Sequence, residues 1–331
     1  MKEQSTARVH LSAQQARTLA ERALQGAGYS AEDARILADH MLDAALCGYE
    51  YSGLPKILNI VEHPKAAQPR SAMRTLRETS LSVLFDGGNQ NGMLTMYHAT
   101  RAAIGKASQH GMALVGVTNS WNSGRSAYFV EMIARADLVG IHTVSAAAQV
   151  APPGGTKAVL GTNPIAFGFP ATGDPLIVDL GTAAFMFSDV LLRERMGTLL
   201  PAGTAIDAQG LPTREPAQAR QGALLAFGEY KGFALSLAMQ AFGVLAGSGF
   251  NINKDYGYLL IAIKPDLMLP IDQFKREITA MIEAVRATPL QLGVAEIRIP
   301  SQRAFRERRR ALREGIEIDE AIHQALLTLA G

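Results

Sequence analysis

The chain has 331 residues, 48% of them hydrophobic and 19% charged, with a formal net charge of +2, the profile of a globular protein of two or three domains. So small a charge excludes the concentrated basic face that phosphate neutralisation needs, and no nucleic-acid partner is expected. A single cysteine, Cys47, excludes an intrachain disulfide. No apolar run approaches the roughly 18 residues of a membrane span, and the start MKEQSTARVH lacks an apolar leader, so a cytoplasmic protein without membrane contact is expected.

The first 50 residues read as two helices. Ser12 precedes AQQARTLAERALQGAG, and Ser30 with Asp33 forms a capping box before ARILADHMLDAAL. A looser stretch with Pro64 and Pro69 follows, then LSVLFDGG reads as a strand ending in a turn, DGGNQNG. A helix from about Met93 to His110, a buried strand MALVGVTNS, a helix SAYFVEMIARADL and a strand VGIHTVS come next. After the polar loop AAAQVAPPGGTKAVLGTNP come short strands IAFGFP and LIVDLG, then an almost wholly apolar helix YKGFALSLAMQAFGVLAG, which implies burial in a core or interface. Strand YGYLLIAI precedes three terminal helices, one of them the arginine-rich SQRAFRERRRALREG. The order predicts a mixed α/β fold, with residues 76–285 as a mixed-sheet domain and residues 1–75 joining 286–331 in a helical one.

No G-x-G-x-x-G follows a strand, so the Rossmann phosphate-binding fingerprint is absent. The seven histidines show no metal-ligand spacing and there is no C-x-x-C, so no bound metal is expected. Several glycine-rich turns end buried strands and could offer backbone N–H groups to an anion. Taken in order, DGGNQNG, GVTNSWNSG, APPGGTKAVLGTNPIAFGFP, VDLGTA, GTLLPAGTAIDAQGLPT, FGEYKGFALSL and RIPSQR resemble the malate/L-lactate dehydrogenase-like family of non-Rossmann NAD(P)H oxidoreductases, over nearly the whole chain. Within it, APPGGTKAVLGTNPIAFGFP and AIDAQGLPT are most similar to the Δ1-piperideine-2-carboxylate/Δ1-pyrroline-2-carboxylate reductases.

The resemblance implies a homodimer that reduces 2-oxo acids or cyclic 2-imino acids with NADPH or NADH. It places the nucleotide along Ser120, Thr162, Asn163, Asp179, Leu180, Gly181, Tyr230, Lys231, Ser301, Gln302 and Arg303. The arginines from Arg306 to Arg310 read either as a solvated helix face or as a selector for a 2′-phosphate.

Where the family pattern has aspartate, serine, histidine, glycine and, three residues on, arginine, this chain has Glu50, Tyr51, Ser52, Gly53 and Lys56. The histidine usually assigned as proton donor is thus Ser52, and a second, in N-S-x-H-F-G, is Asn122. A serine common in relatives is Ala183. Ketone reduction needs a positioned acid, which neither serine nor asparagine supplies. A cyclic imine arrives protonated from solvent and gives an amine, so it tolerates the loss. The leading expectation is therefore a reductase of a carboxylate-bearing C=N substrate, with Lys56 on the carboxylate and Ser52 and Asn122 orienting it. Two alternatives stand beside it. One is a 2-oxo acid reductase whose acid is Tyr51 or a water, and the other is a scaffold that has lost hydride transfer and acts as a binding module or non-redox enzyme.

Overall fold

The computed structural model describes residues 7–250 and 256–331. Strand β1 (Arg8–Leu11) leads into α1 (Ala13–Gly26), whose N-terminus is closed by a reciprocal box: Ser12 Oγ accepts from Gln15 N–H and Gln15 accepts from Ser12 N–H. Helix α2 (Ala31–Leu46) starts at Ser30, which accepts from Asp33 N–H without a returned bond. The full capping box thus belongs to the first helix, where glutamine is the third helical residue, rather than to the second.

The short α3 (Lys56–Val61) precedes β2 (Arg74–Glu78), β3 (Ser82–Asn91), α4 (Gly92–His110), β4 (Met112–Trp121), α5 (Ser126–Arg135) and β5 (Val139–Ser145). Next come β6 (Ile165–Phe169), β7 (Leu176–Leu180), α6 (Phe187–Met196), the two-residue strands β8 (Ala205–Ile206) and β9 (Pro212–Thr213), α7 (Pro216–Gln221), β10 (Ala223–Leu224) and α8 (Tyr230–Leu245). The chain ends with β11 (Gly257–Ile263), α9 (Ile271–Arg286), α10 (Gln302–Glu314), β12 (Ile316–Asp319) and α11 (Glu320–Ala330).

Among the described residues, seven strands form one sheet in the order β2-β3-β4-β11-β5-β6-β7. Strands β3 and β4 run parallel and the other neighbours antiparallel, so the sheet is mixed. The expected turn in DGGNQNG lies inside β3, where Gly88 and Asn89 keep left-handed backbone, φ 61° and 57°, while the strand runs on to Asn91. Pairing to β4 holds Asp86 opposite Thr118 and Gln90 opposite Ser120, with the register shift absorbed between them. Helix α4 buries Met96, Ala99, Ala103 and Ala107 on one face of the sheet, in a core with Val115, Val117, Phe129 and Leu260.

The two ends of the chain meet. Strands β1 and β12 pair antiparallel from Arg8↔Asp319 to Leu11↔Ile316. Leu24, Leu37, Met41, Ile57, Ile322 and Leu326 share a core that reaches Met93 and Trp121 at the sheet, so the helical and sheet layers are continuous. Helix α8, apolar nearly all round, packs Met239 and Gly243 inward and leaves Leu237, Val244 and Leu245 exposed in the single chain.

Candidate functional site

The site lies where α3, the loop after β4, the loop after β5 and the start of α6 converge. Two adjoining cavities share Gly124, Pro164 and Met186 in their walls. The smaller, about 220 Å³, is lined by Lys56, Asn59, His63, Asn122, Gln149, Thr162, Ser188 and Tyr256, among others. The larger, about 400 Å³, takes Tyr49, Tyr51, Ser52, Arg125, Asp179, Leu180, Gly181 and Ser301. Gly124 is required at the junction: its φ is +73°, and a Cβ there would lie 2.3 Å from His40 Nε2.

The segment CGYEYSGLPK divides its side chains among four environments. Cys47 is buried behind two guanidinium groups, with Arg308 Nε 3.3 Å and Arg125 Nη2 3.7 Å from its sulfur, and burial pushes its thiol up. The Tyr49 ring has Arg125 and Arg303 over it, each 5.3 Å from its centroid. Tyr51 and Ser52 face the larger cavity, and burial, helped by Asp179, raises the Tyr51 hydroxyl above its ordinary 10. Lys56 turns into the smaller cavity. It is 4% exposed, its Nζ donates to Ser188 Oγ at 2.7 Å, and burial lowers its amine from 10.5 to about 8. It has no carboxylate partner among the described residues.

Asp179 lines the larger cavity and also caps α5, its Oδ2 accepting from Ala127 N–H at 2.7 Å. Burial raises its carboxyl while the Ala127 N–H and Arg125 pull it down, and the side chain keeps solvent contact through the cleft. Asn122 holds a left-handed turn, φ 61°, that brings it to the smaller cavity beside Thr162.

Other expected residues are spread differently. Ser120 is fully buried and spends its hydroxyl on Gln90 O and Thr95, and Asn163 bridges Ala146 N–H to Ser236, so both brace the walls from behind. Tyr230 and Lys231 are exposed at the start of α8 and line neither cavity, although that start abuts Thr182. Gln302 faces a separate groove and accepts from Arg286.

The arginine run is consumed by ion pairs: Arg306 with Glu296, Arg308 with Glu131 and Asp43, Arg309 with Asp174, Arg310 with Glu307 and Glu314. That leaves Arg303, next to Ser301, without a carboxylate partner among the described residues. The residues fit a dinucleotide. A long cleft of two cavities is offered, and Ser301 lines it at the N-terminus of α10, where unpaired N–H groups favour an anion. At Gly181 a Cβ would meet Met186 Sδ at 2.8 Å, so a side chain there would crowd the neck of the cleft. Ser301 would meet a phosphate oxygen and Asp179 a hydroxyl, whereas Arg303 sits over the Tyr49 ring and lines neither cavity.

His63, Asn59, Ser188 and Gln149 were not foreseen as cavity residues. The available signal was the spacing of Lys56 and Asn59, which places two polar groups on one face of a helix, whereas His63 lies past the end of α3 and carried no such signal.

With this geometry, comparison with known proteins is decisive. Residues 11–327 match the family model described as malate/L-lactate dehydrogenase. The chain belongs to that family. It is 32% identical over 312 residues to the L-sulfolactate dehydrogenase of Methanothermobacter thermautotrophicus, covering 90% of each chain. It is also 32% identical over 341 residues to Δ1-pyrroline-2-carboxylate reductase 1 of Burkholderia ambifaria, covering 98% of this chain and 99% of that one. The crystal structure of Δ1-piperideine-2-carboxylate reductase from Pseudomonas syringae pvar. tomato superposes with a TM-score of 0.83 at 30% identity, over 97% of this chain and 99% of that chain. The family is enzymatic, its dehydrogenases use NAD(P)H, and these relatives are oxidoreductases of small carboxylates.

Proposed function

We propose that this protein is an NAD(P)H-dependent reductase of a cyclic imino acid or a related carboxylate-bearing C=N substrate. The observation that carries the reading is Lys56, a buried ammonium in a small cavity, with a hydroxyl partner but no carboxylate among the described residues. A buried, unpaired charge is unfavourable, and a substrate carboxylate is the anion that relieves it. Ser188 aims the ammonium and Asn122 offers an amide to the substrate. Ser52 lies four residues before Lys56, ahead of α3, and faces the larger cavity. Met186 and Phe187 limit water. The nicotinamide supplies the hydride when bound.

The weakness of the expected proton donors favours imine over ketone, and His63, the histidine of the smaller cavity, is kept below its ordinary 6.5 by burial and Lys65. Ser52 and Asn122 do not ionise near neutrality, and Tyr51 is pushed further from doing so. A protonated imine needs no donor as hydride arrives. The rival 2-oxo acid reductase has one point in its favour, since an amine lowered to about 8 is a competent acid. Yet among the described residues Lys56 is the single lysine or arginine lining the smaller cavity, and giving up its proton breaks the pair that holds the substrate.

The test is NADPH and NADH oxidation with Δ1-pyrroline-2-carboxylate, Δ1-piperideine-2-carboxylate, pyruvate and oxaloacetate. Imines are expected to exceed oxo acids by about 100-fold in kcat/KM, the lower end of what a positioned acid contributes. Faster oxo acids would overturn the reading, and saturable cofactor binding with no turnover would favour a scaffold without hydride transfer. A cytoplasmic homodimer belongs to the same proposal, because a second copy would cover Leu237, Val244 and Leu245 on α8; light scattering tests the stoichiometry.

A further inference from the structure

Beyond Lys56 the smaller cavity has two polar groups that the proposed reaction leaves unused. Asn59 follows one turn on along α3, His63 lies two residues past the end of that helix in extended backbone, and all three line the cavity. The two neutral groups have fixed donor polarity. Arg195 donates to Asn59 Oδ1 at 3.1 Å, and since arginine only donates, Nδ2 with its two hydrogens is left for the cavity. The backbone N–H of Lys65 donates to His63 Nδ1 at 3.2 Å, which places the proton of the neutral ring on Nε2. The ring is also fixed in plane. It stacks on Trp121 at 4.4 Å between centroids and 7° between planes, and Trp121 is itself anchored through its own N–H on Asn89 O. No hydrogen bond from Nε2 is present among the described residues, so this N–H is left for an acceptor at the cavity that His63 lines.

The charge of that acceptor follows from its surroundings. Arg195, which holds Asn59, is already paired with Glu62, and burial together with Lys65 keeps His63 below its ordinary 6.5 and neutral. The two groups that offer N–H here are thus both uncharged, and an uncharged oxygen satisfies them without the cost of burying a further charge.

We propose that Asn59 and His63 form a second anchoring point that takes an uncharged oxygen acceptor on the substrate ring, so that the preferred substrate class is a hydroxyl- or oxo-substituted cyclic imino acid. The proposal rests on the reading above, in which Lys56 holds the carboxylate. Along a helix the rise from Lys56 to Asn59 is about 4.5 Å, comparable to the span from a carboxylate to an oxygen across a five- or six-membered ring. A ring held at both ends has one orientation to present its C=N, while one held at the carboxylate alone can pivot.

The experiment separates the two claims by using ligands that cannot react. Binding of pyrrole-2-carboxylate and 4-hydroxypyrrole-2-carboxylate to the NADP⁺-loaded protein is measured by calorimetry for the wild type, His63→Phe and Lys56→Met. His63→Phe keeps a ring against Trp121 and removes the N–H. The wild type is expected to favour the hydroxylated ligand by about tenfold, and His63→Phe to bring that ratio close to one by weakening the hydroxylated ligand selectively. Equal affinities in the wild type, or a ratio unchanged by His63→Phe, would overturn the second anchor. Loss of both ligands in Lys56→Met supports the carboxylate site; unchanged binding there would overturn that reading independently of the ratio.

Discussion

Replacing Lys56 with methionine should stabilise the protein while removing its substrate binding. The ammonium is 4% exposed and burial brings it from its ordinary 10.5 to about 8. At about 1.4 kcal/mol per pH unit, that difference is a penalty on the charged form on the order of 3 kcal/mol. Methionine keeps an unbranched stem, carries no charge and loses the bond to Ser188, worth about 1 kcal/mol, so the net gain is about 2 kcal/mol. With an unfolding entropy of roughly 2.1 cal/mol/K per residue, a chain of this length has roughly 0.7 kcal/mol/K, and the midpoint rises by about 3 °C.

The pH dependence has a definite sign. The amine binds its proton more weakly folded than unfolded, so protonation favours the unfolded chain: the penalty is complete below about 8 and fades as pH rises toward 10.5. Calorimetric scans of both proteins without cofactor, at pH 7 and pH 10, should show the variant melting higher at pH 7 and the gap nearly closed at pH 10. A variant that melts lower at pH 7, or a gap independent of pH, would refute the claim that Lys56 is a buried unpaired cation.

The same ammonium should govern substrate affinity, so KM for a carboxylate imine is expected to rise by about tenfold per pH unit above about 8, with a pH-rate series as the check. Tyr51→Phe should lower kcat less than about threefold, because burial has moved the hydroxyl away from acid function; a loss of 100-fold in steady-state turnover would restore Tyr51 as the donor. Trp121 emission, followed during titration with NADPH and NADH, should quench saturably, since its ring lies directly under His63 at the cavity wall; no quenching at saturating cofactor would place the nicotinamide elsewhere. Arg308→Ala should destabilise by roughly 3 kcal/mol in urea titrations by leaving Glu131 and Asp43 short of a buried partner. Burial raises the Glu131 carboxyl, but Arg308 and Arg135 outweigh it and hold it below 4.5, so this contribution is present above that pH and lost as the solution is acidified through the folded value.

Much of the architecture is local and therefore legible in the chain. The Ser12 and Ser30 caps, the apolar runs of β4 and β11 and the uniform apolarity of α8 follow from side-chain chemistry within a few residues. The order of the glycine-rich turns is read from the chain in the same way, and the family match over residues 11–327 agrees with it. What the sequence by itself left open is pairing between distant segments. DGGNQNG keeps turn backbone at Gly88 and Asn89, yet it belongs to a strand because β4 pairs with both its ends. The arginine run looked available for phosphate until Glu131, Asp43, Asp174 and Glu296 arrived from four other segments to neutralise it. Lys56 has no carboxylate beside it in the chain and finds none among the described residues, while His63 sits near prolines in what reads as a loose connection and becomes a cavity wall by stacking on Trp121. A helix cap is decided by the nearest few residues, but whether a charge is paired or a ring faces a cavity depends on which surfaces the tertiary fold brings together.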